Sequence, residues 1–445
     1  MSQSSPDIGS GLNQQKPSRI NLPFKNKSDS SHQIPLENAT LRIDRPINNF
    51  KQDSNKNLDS YEVEQKDEFS ESELREFIFQ NGRYFDSYLA TEPGRESFWS
   101  RGRRGLISYK RWRKHVIIGG GLIAPEDHKK QLVIEFLDYA RQNKLSIAFH
   151  NIGEHDLSLF QEFQFQITKW GEDPMIDLEN CTWKGKKYEW IRRQTNYCLR
   201  QGVTACEVRQ EQLHPVQWSD IISEIIEVAD ESLTRKPQKK AMQFFEGRID
   251  NHELGLRRLF IARRQGRIEG FVICNPILNG AGWATELYRH RIDSVKGTMA
   301  FLIHHVLQEL KAEGVQRAGL CLDLGRDCHS IPGDSFLIRR GLWFAEQYMT
   351  SIFDFSGLRH FKSRFRPEYE KRYACVFPKV TVGSLLAFAS TTGVIDLHYG
   401  RFAKIVLDRF RKRALRKNLT AGKKKNPSKE SVKFDKPERE LRRSA

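Results

Sequence analysis

The sequence is poor in cysteine, and its cysteines do not form the pattern of a disulfide framework or a metal module. Seven cysteines are scattered over 445 residues, with no C-x-x-C pair and no zinc-site spacing of cysteine and histidine. This pattern predicts free thiols in a reducing compartment and no bound metal. The N-terminus also lacks the basic, apolar and cleavable pattern of a secretory signal.

Long hydrophobic runs are absent as well. The longest uncharged stretch extends from Val380 to Ile395, and Thr, Ser and Gly interrupt it throughout. It is shorter and more polar than the ~20 apolar residues of a spanning helix, so the sequence predicts no transmembrane segment. With 38% hydrophobic and 11% aromatic residues, the chain can still bury a substantial core, which excludes wholesale disorder.

Positive charge is abundant and unevenly placed, with a formal net charge of +17. Residues 409–445 contain 15 Lys and Arg against 4 Asp and Glu, whereas residues 1–67 contain 9 of each. A basic tail predicts an anionic partner, either nucleic acid or lipid headgroups. The alternative is a solvated tail without a specific partner.

Two stretches of the chain share one order of predicted elements. In the first, a strand over Lys114–Ile118 is followed by a glycine loop, a helix with Asp127 as its cap, and a strand over Leu145–His150. In the second, a hairpin about Gly266 and a third strand precede a loop, a helix and a strand over Val315–Leu324. We therefore predict a structural duplication with an α/β fold, built on mixed α+β sheets.

The same patterns give a domain plan. The predicted segments are a disordered leader (1–67), a first unit (68–184), a linker helix (185–202), a second, catalytic unit (203–400), and a basic amphipathic helix with a disordered tail (401–445).

The second unit resembles the N-acetyltransferase (GNAT) superfamily, because a hairpin, a third strand, a glycine loop and a helix form the core order of that fold. The resemblance implies tandem GNAT-like units and an anion held at the start of the helix. The loop from Arg291 to Thr298 has one glycine, whereas the usual acetyl-CoA loop has two, and this departure disfavours coenzyme A as the donor.

Over about 68–400 the chain resembles more closely the C-terminal catalytic region of the aminoacyl-phosphatidylglycerol synthases, the lysylphosphatidylglycerol synthase family. Four motifs occur in the order of that family. They are Lys169–Leu178, Trp183–Lys186 followed by Arg192 and Asn196, Thr285–Arg289 with Gly297–Leu302, and Gly357–Tyr369 followed by Arg372 and Tyr373.

This resemblance implies an aminoacyltransferase that moves an amino acid from aminoacyl-tRNA to the hydroxyl of an anionic, phosphatidylglycerol-type lipid, without a cofactor or metal. It implies a cytoplasmic protein associated peripherally with the inner face of the membrane. The multi-pass flippase of the family is not seen in this sequence, so we expect a freestanding synthase domain. Ala300 replaces a family aspartate, which removes a carboxylate that could hold a cationic amino acid.

The resemblance places the candidate catalytic residues on the third strand of the second unit. Glu286 is expected to bind the donor amine or assist proton transfer, and Arg289 to bind a phosphate. The alternative is an ion pair between these two side chains. Gly297 and Thr298 are expected to bind an anion at a helix start, or simply to begin an ordinary helix.

Two further groups are candidates for substrate binding. Lys362, Arg364 and Arg366 alternate with two phenylalanines, a mixture that suits RNA ends or lipid phosphates. The alternative is a surface helix whose phenylalanines pack inward. The second group, Lys169, Glu172 and Asp177, is expected to form a structural or substrate-lining charge cluster.

Two other functions stay open at this point. The GNAT-like order is compatible with an acyl-CoA-dependent N-acyltransferase, and Ala300 with the basic tail is compatible with a non-catalytic module that binds membranes or RNA. Neither the transferred amino acid nor the acceptor lipid follows from the sequence.

Overall fold

One twelve-stranded sheet runs through the computed structural model, which describes residues 70–234, 244–249, 254–348, 355–393 and 411. All of these residues lie in one compact unit, Lys66–Ala445. The strands are β1 (Glu96–Trp99), β2 (Leu106–Trp112), β3 (His115–Ile118), β4 (Ser146–Gly153), β5 (Gln166–Asp177), β6 (Thr204–Val208), β7 (Arg258–Arg264), β8 (Arg267–Ile277), β9 (Gly282–His290), β10 (Arg317–Gly319), β11 (Asp323–Leu324) and β12 (Glu368–Phe377).

Helices cover both faces of this sheet. They are α1 (Glu71–Asn81), α2 (Lys129–Gln142), α3 (Leu157–Glu162), α4 (Glu189–Arg200), α5 (Pro215–Thr234), α6 (Thr298–Ala312), α7 (Phe336–Tyr348), α8 (Phe355–Ser363) and α9 (Val382–Thr391). Among the described residues, no helix is long and apolar enough to cross a membrane.

The strand order is β1-β2-β3-β4-β12-β5-β10-β9-β8-β7-β6, with β11 paired to β5. Strands β3 and β4 are parallel and joined through α2, and strands β9 and β10 are parallel and joined through α6. Every other strand pairing in the described residues is antiparallel. The predicted fold class, a mixed α/β fold with tandem GNAT-like units, is confirmed.

The two crossover helices form where the apolar spacing predicts them. Helix α2 buries Leu132, Val133, Phe136 and Leu137, and α6 buries its own apolar face in a separate core. The predicted cap is wrong, however: α2 begins after a 3-10 turn over Glu126–His128, and no side chain caps it.

Two other features differ from the predicted elements. The predicted strand over Val315–Leu324 is two short strands, β10 and β11, separated by residues that include Cys321, whose φ is 61°. In addition, β12 lies between β4 and β5, so a strand from the segment assigned to the second unit completes the sheet of the first half. The unit boundaries therefore remain predictions. The leader 1–67 and the basic tail, apart from residue 411, lie outside the described residues.

Candidate active site

Glu286 lies at a bulge in β9. Ile273 of β8 pairs with Leu287 and Cys274 pairs with Thr285, so Glu286 is an extra residue without a partner across the ladder. Its side chain turns into the interior, where Oε1 accepts a hydrogen bond from the Gly247 amide at 2.8 Å. Its other oxygen, Oε2, has no hydrogen-bond partner among the described residues. Bulges of this kind re-aim side chains at functional sites.

The surroundings of Glu286 favour proton transfer at neutral pH. Burial raises the pKa of this carboxyl to about 7, against the lowering effects of the Gly247 hydrogen bond and the Arg257 charge. The neighbouring carboxylates Glu246 and Glu92 raise the pKa further. An acid that titrates near the working pH is well suited to general acid–base catalysis.

Arg289 binds a different carboxylate. Its Nη2 donates to Glu246 Oε2 at 2.8 Å, and its Nη1 donates to the Tyr288 carbonyl oxygen at 2.8 Å. The alternative of a Glu286–Arg289 ion pair is therefore wrong, although both side chains reach the same short segment, residues 244–249. Residues 244–249 therefore contact both candidate catalytic residues, Glu286 and Arg289.

Other buried polar side chains, from both halves, also leave oxygens without hydrogen-bond partners. Asp86 Oδ2 accepts from Asn151 Nδ2 at 2.9 Å, and Asn275 Nδ2 donates to the Phe85 carbonyl oxygen at 3.1 Å. Asp86 Oδ1, Asn151 Oδ1 and Asn275 Oδ1 have no hydrogen-bond partner among the described residues. Burial also raises the pKa of Asp86.

Arg95 supplies a positive charge to the same interior. Its guanidinium lies 4.3 Å from the centroid of the Phe244 ring, its Nη2 donates to the Phe244 carbonyl oxygen, and its Nη1 has no partner within the described part of the chain. Burial lowers the pKa of Arg95 to about 10, and the charges of Asp86, Glu92 and Glu286 oppose this shift. Arg95 therefore remains protonated at neutral pH.

Asp173 of β5 connects the halves electrostatically. It accepts from Arg372 Nε of β12 at 2.7 Å, and its Oδ1 has no partner in the described ranges. Burial raises the pKa of Asp173 while the Arg372 charge lowers it, and the Asp173 charge in turn contributes to raising the pKa of Asp86. We refer to these side chains as the central polar cluster, namely Asp86, Arg95, Asn151, Asp173, Asn275 and Glu286.

The central polar cluster has the character of a ligand site. A buried polar atom without a partner costs ~1–3 kcal/mol, and folded proteins seldom retain several of them in one place without a reason. The unpaired oxygens of the cluster are acceptors that suit an ammonium group, and the free Arg95 Nη1 is a donor that suits a carbonyl or phosphate oxygen.

Lys362 is close to the cluster but is already paired. Its Nζ lies 3.1 Å from Asp323 Oδ1 and donates to the carbonyl oxygens of Cys321 and Leu322 at 2.9 and 3.2 Å. Both charged side chains of this pair are buried. Lys362 therefore holds the break between β10 and β11, and its charge lowers the pKa of Asp173.

Arg364 and Arg366 lie beside α4. The Arg364 guanidinium is 5.4 Å from the Trp190 ring centroid, and Arg366 Nε donates to the Lys187 carbonyl oxygen at 3.3 Å. The alternative of one surface helix is wrong for Phe365, because α8 ends at Ser363. Phe365 nevertheless packs inward: it is fully buried, with its ring 5.6 Å from that of Phe361.

The structure brings together two of the three residues in the other predicted group. Lys169 Nζ donates to Glu172 Oε1 at 2.8 Å, and Arg326 Nε donates to Glu172 Oε2 at 3.1 Å. Asp177 lies at the end of β5, where its carboxylate accepts from the Asn180 amide and side chain at 3.1 and 2.7 Å. Asp177 thus holds a turn rather than joining the Lys169–Glu172 pair.

The start of α6 belongs to another surface. Gly297 adopts φ 95°, which favours glycine, and Gln194 of α4 packs against it. The buried Thr298 hydroxyl donates to the Val295 carbonyl oxygen at 2.7 Å. Ala300 packs in the apolar core of the second half, so the loss of the family aspartate takes no group from the central polar cluster.

One grouping of the described residues has metal-ligand spacing: Glu126, His155 and Asp156. Lys129 Nζ lies 2.8 Å from both Glu126 Oε1 and Asp156 Oδ1, so an ammonium already balances these carboxylates. The group carries no further function here.

The motifs pointed to Glu286 but missed most of its surroundings. Asp86, Arg95, Asn151 and Asn275 come from separate segments, and no local pattern joins them. The sequence did contain a signal for Asp173. It follows Glu172 directly in a strand, and because successive side chains of a strand point to opposite faces, Asp173 is expected on the other face of the sheet from Glu172.

Three comparisons with known proteins find similar sequences and similar structures. The model of the family described as phosphatidylglycerol lysyltransferase, C-terminal, matches residues 75–376. The chain is similar to the phosphatidylglycerol lysyltransferases of Bacillus subtilis (strain 168), at 24% identity over 308 residues, and Staphylococcus aureus (strain MRSA252), at 22% over 305. The two matches cover 67% and 68% of this chain, and the chain spans 34% and 35% of those relatives.

Solved structures show the same fold. A C-terminal domain assigned to lysylphosphatidylglycerol synthetase in Agrobacterium fabrum superposes with a TM-score of 0.62 at 23% identity, over 73% of this chain and 96% of that one. L-PGS from Bacillus licheniformis superposes with a TM-score of 0.60 at 24% identity, over 72% and 94%.

Proposed function

Because the chain belongs to the phosphatidylglycerol lysyltransferase C-terminal family, we propose that it transfers an aminoacyl group from aminoacyl-tRNA to the hydroxyl of a phosphatidylglycerol-type lipid. The observation that carries this proposal is the central polar cluster, in which Glu286 titrates near neutrality beside unpaired acceptors and the free Arg95 Nη1. These are the groups that an ester exchange needs: a base, a site for a cation, and a donor for an oxyanion.

The reaction exchanges one ester for another. The lipid hydroxyl oxygen attacks the aminoacyl carbonyl carbon, and a tetrahedral oxyanion forms. The bond from that carbon to the ribose oxygen of the tRNA then breaks. Glu286 accepts the proton of the lipid hydroxyl and delivers it to the departing ribose oxygen, so the carboxylate is regenerated. The donor ester is already activated, and no ATP is consumed.

Each remaining group has a role in positioning or charge stabilisation. Arg95 Nη1 donates to the developing oxyanion, and the unpaired oxygens of Asp86, Asn151 and Asp173 accept from the α-ammonium of the amino acid. Holding two reactants in the reactive geometry can lower the activation barrier by on the order of 7–11 kcal/mol, so positioning supplies much of the rate enhancement. Arg289 acts indirectly, through Glu246 on the segment that also supports Glu286.

The charges of the cluster also bear on which amino acid is transferred. Asp86, Asp173 and Glu286 share this interior with the cations of Arg95 and Arg372, so their charges suit the α-ammonium of an amino acid without selecting a cationic side chain. Lysine, the residue named in the relatives, is therefore proposed on the family match alone, and Ala300 does not oppose it because Ala300 lies in the apolar core.

Peripheral membrane association is part of this proposal. Four large apolar side chains on α7 and α9 are well exposed, namely Phe336 (65%), Trp343 (38%), Val382 (62%) and Leu386 (47%). Arg340 lies over the Trp343 ring at 4.6 Å, so cationic and aromatic groups occur together there. Apolar side chains with adjacent positive charge suit an anionic bilayer surface.

The test is a transfer assay with the full chain. The protein is incubated with tRNA charged with radiolabelled amino acids, one at a time, and with liposomes that contain phosphatidylglycerol. We expect a labelled lipid with at least one charged tRNA, and no label in matched phosphatidylcholine liposomes. Absence of labelled lipid with every charged tRNA would overturn the proposal.

A further inference from the structure

A buried histidine on β4 has both of its ring nitrogens unpaired. His150 is 4% exposed, and neither Nδ1 nor Nε2 has a hydrogen-bond partner among the described residues. The indole Nε1 of Trp170 on β5 is buried and likewise lacks a partner there, and the two ring centroids lie 4.9 Å apart. Unpaired polar atoms therefore occur together outside the central polar cluster, on two side chains to which the sequence motifs assign no function.

Irregular strand pairing places both rings. On β4, His150 and Asn151 together oppose the single residue Ala374 of β12, and Asn151 has a φ of 64°. On β5, Trp170 is an extra residue between two that pair with successive residues of β12. Bulges re-aim side chains at functional sites, and Glu286 lies at another bulge, on β9. The irregularity that directs Glu286 into the interior is thus repeated at His150 and Trp170.

Aromatic rings enclose the unpaired nitrogens. The Phe388 ring centroid on α9 lies 4.8 Å from that of His150 and 5.2 Å from that of Trp170. The Phe245 ring lies 6.0 Å from His150. Phe245 and Phe388 are only partly buried, with ring centroids 5.8 Å apart, so they form a side of the enclosure that reaches solvent. Such an enclosure suits a ligand that is largely apolar and carries a few polar atoms.

One short segment connects the aromatic enclosure to the candidate catalytic carboxyl. Phe245 contacts His150, and the Gly247 amide, two residues further on, donates to Glu286 at 2.8 Å. Helix α9 packs on the enclosure and also carries exposed apolar side chains, on the surface proposed to meet the bilayer. The enclosure therefore contacts both the helix proposed to meet the bilayer and the segment that holds Glu286.

The hydrogen-bonding capacity of the pair suits a neutral hydroxyl group. Burial lowers the pKa of His150 to about 3, so its imidazole is neutral at physiological pH, with one N–H donor and one acceptor nitrogen. The indole N–H of Trp170 is a donor only. A hydroxyl uses both capacities, because its hydrogen donates to the imidazole nitrogen and its oxygen accepts from an N–H. A phosphate or carboxylate has no proton to donate, and apolar rings disfavour a charged group.

We propose that His150 and Trp170 bind the second hydroxyl of the acceptor headgroup, the one that is not acylated. This inference rests on the proposed function and deepens it, because it assigns recognition of a diol headgroup to two side chains. A lipid whose headgroup has a single hydroxyl loses this contact and is a poorer acceptor. The ribose at the tRNA end also has neighbouring hydroxyls, but the apolar rings and the adjacent α9 surface favour the lipid.

The experiment compares two acceptors in vesicles, with the full chain and a charged tRNA that supports transfer. Phosphatidylglycerol has two headgroup hydroxyls, and phosphatidylpropanediol keeps the primary hydroxyl and lacks the secondary one. We expect the wild type to prefer phosphatidylglycerol ~10-fold or more in kcat/KM, because the other lipid leaves buried polar atoms unpaired. In H150F the preference should fall to ~2-fold or less, through a loss on phosphatidylglycerol alone. W170F, which removes one donor, should give an intermediate preference.

Further variants separate hydrogen bonding from packing. H150Q keeps a donor and an acceptor and should retain most of the preference. H304F is the matched control, because His304 also packs on a tryptophan at 4.9 Å and has a ring nitrogen unpaired within the described structure. It should leave the preference unchanged. Phenylalanine at 150 keeps a ring and removes unpaired nitrogens, so H150F should unfold at no lower urea concentration than the wild type. A lower midpoint would show a packing role and overturn the inference.

The outcomes separate this inference from the proposed function. An equal loss on both acceptors in H150F, or an undiminished preference, overturns the inference while the proposed transfer stands. A raised KM for aminoacyl-tRNA with an unchanged lipid preference also overturns it and assigns His150 to the tRNA end. A wild type that acylates both lipids equally overturns it too. A wild type that labels neither lipid overturns the proposed function, and this inference with it.

Discussion

The Gly247 amide donates to one oxygen of the Glu286 carboxylate at 2.8 Å, while the other oxygen of that carboxylate has no partner among the described residues. One oxygen is thus fixed by the protein, and the other is left for a substrate. The hydrogen bond also opposes the effect of burial on the Glu286 pKa, which keeps the group near the middle of its titration at neutral pH.

The first prediction concerns Gly247 itself. A Cβ at this position would lie 3.0 Å from Glu286 Oε2 and 3.2 Å from Glu92 Oε1, with Arg257 closer still at 2.5 Å. We expect Gly247→Ala to displace the Glu286 carboxylate and lower kcat at least ~10-fold, because misplaced reacting groups are costly. Gly341→Ala, in α7 where nothing lies within 4 Å of the added Cβ, is the control and should leave kcat unchanged. Full activity in Gly247→Ala would contradict the role of this contact.

The second prediction is a pH profile. Glu286 acts as a base only when it is ionised, so kcat/KM of the wild type should rise with pH up to about 7 and then level off. In Glu286→Gln we expect activity to fall at least ~100-fold and the rise to disappear. A steady-state transfer assay between pH 5 and 9 measures both. If the variant kept the same rise, another group would be the base.

The third prediction is a gain in stability from the same substitution. The pKa of Glu286 is raised from 4.5 to about 7, so the folded protein loses stability as pH rises through that range and this carboxyl ionises. Glu286→Gln avoids the buried charge. Its stability relative to wild type should increase between pH 5 and 8, by at most ~3 kcal/mol. Urea denaturation at both pH values checks this, and an equal difference at pH 5 and pH 8 would speak against a raised pKa.

The fourth prediction separates a structural cation from a substrate-binding one. Lys362 and Asp323 are 3% and 0% exposed, and removing one member of a buried pair costs ~3–5 kcal/mol. Lys362→Met should therefore lower the free energy of unfolding by about this amount. Lys371→Met breaks a pair with Glu154 that is about half exposed and should cost less than ~1 kcal/mol. Similar stabilities for the two variants would show that Lys362 is free for a substrate.

The fifth prediction concerns the exposed apolar side chains of α9. Val382→Asp with Leu386→Asp removes apolar groups and adds negative charge, so we expect flotation with phosphatidylglycerol vesicles to fall ~10-fold or more. Val216→Asp on α5 is a control of similar exposure and should float as the wild type does. Undiminished flotation of the double variant would place the bilayer contact elsewhere.

The sequence predicts the local elements well because their signals are local. The periodic apolar residues of α2 and α6 are buried as expected. The motif that contains Glu286 identifies a residue that does lie in a buried polar interior. In each case a few neighbouring residues determine the outcome.

The rest depends on contacts between distant segments. The bulge at Glu286 directs that side chain to the Gly247 amide, and Arg289 pairs with Glu246 instead. The spacing of residues within β9 does not distinguish this arrangement from an ion pair between Glu286 and Arg289. The central polar cluster joins residues from 86 to 286, whose proximity exists only once the sheet is assembled. Long-range pairing leaves no periodic trace in a single sequence.

The position of β12 has a consequence for biosynthesis. This strand is made after β4 and β5 and then inserts between them, with nine register partners on β5 alone. In a nascent chain, the facing edges of β4 and β5 therefore stay unpaired until residue 377 has left the ribosome. If the gene were cut at the boundary between the two halves, the N-terminal fragment would lack β12, the strand that lies between β4 and β5. Two such fragments should recover a native sheet only when they are produced together.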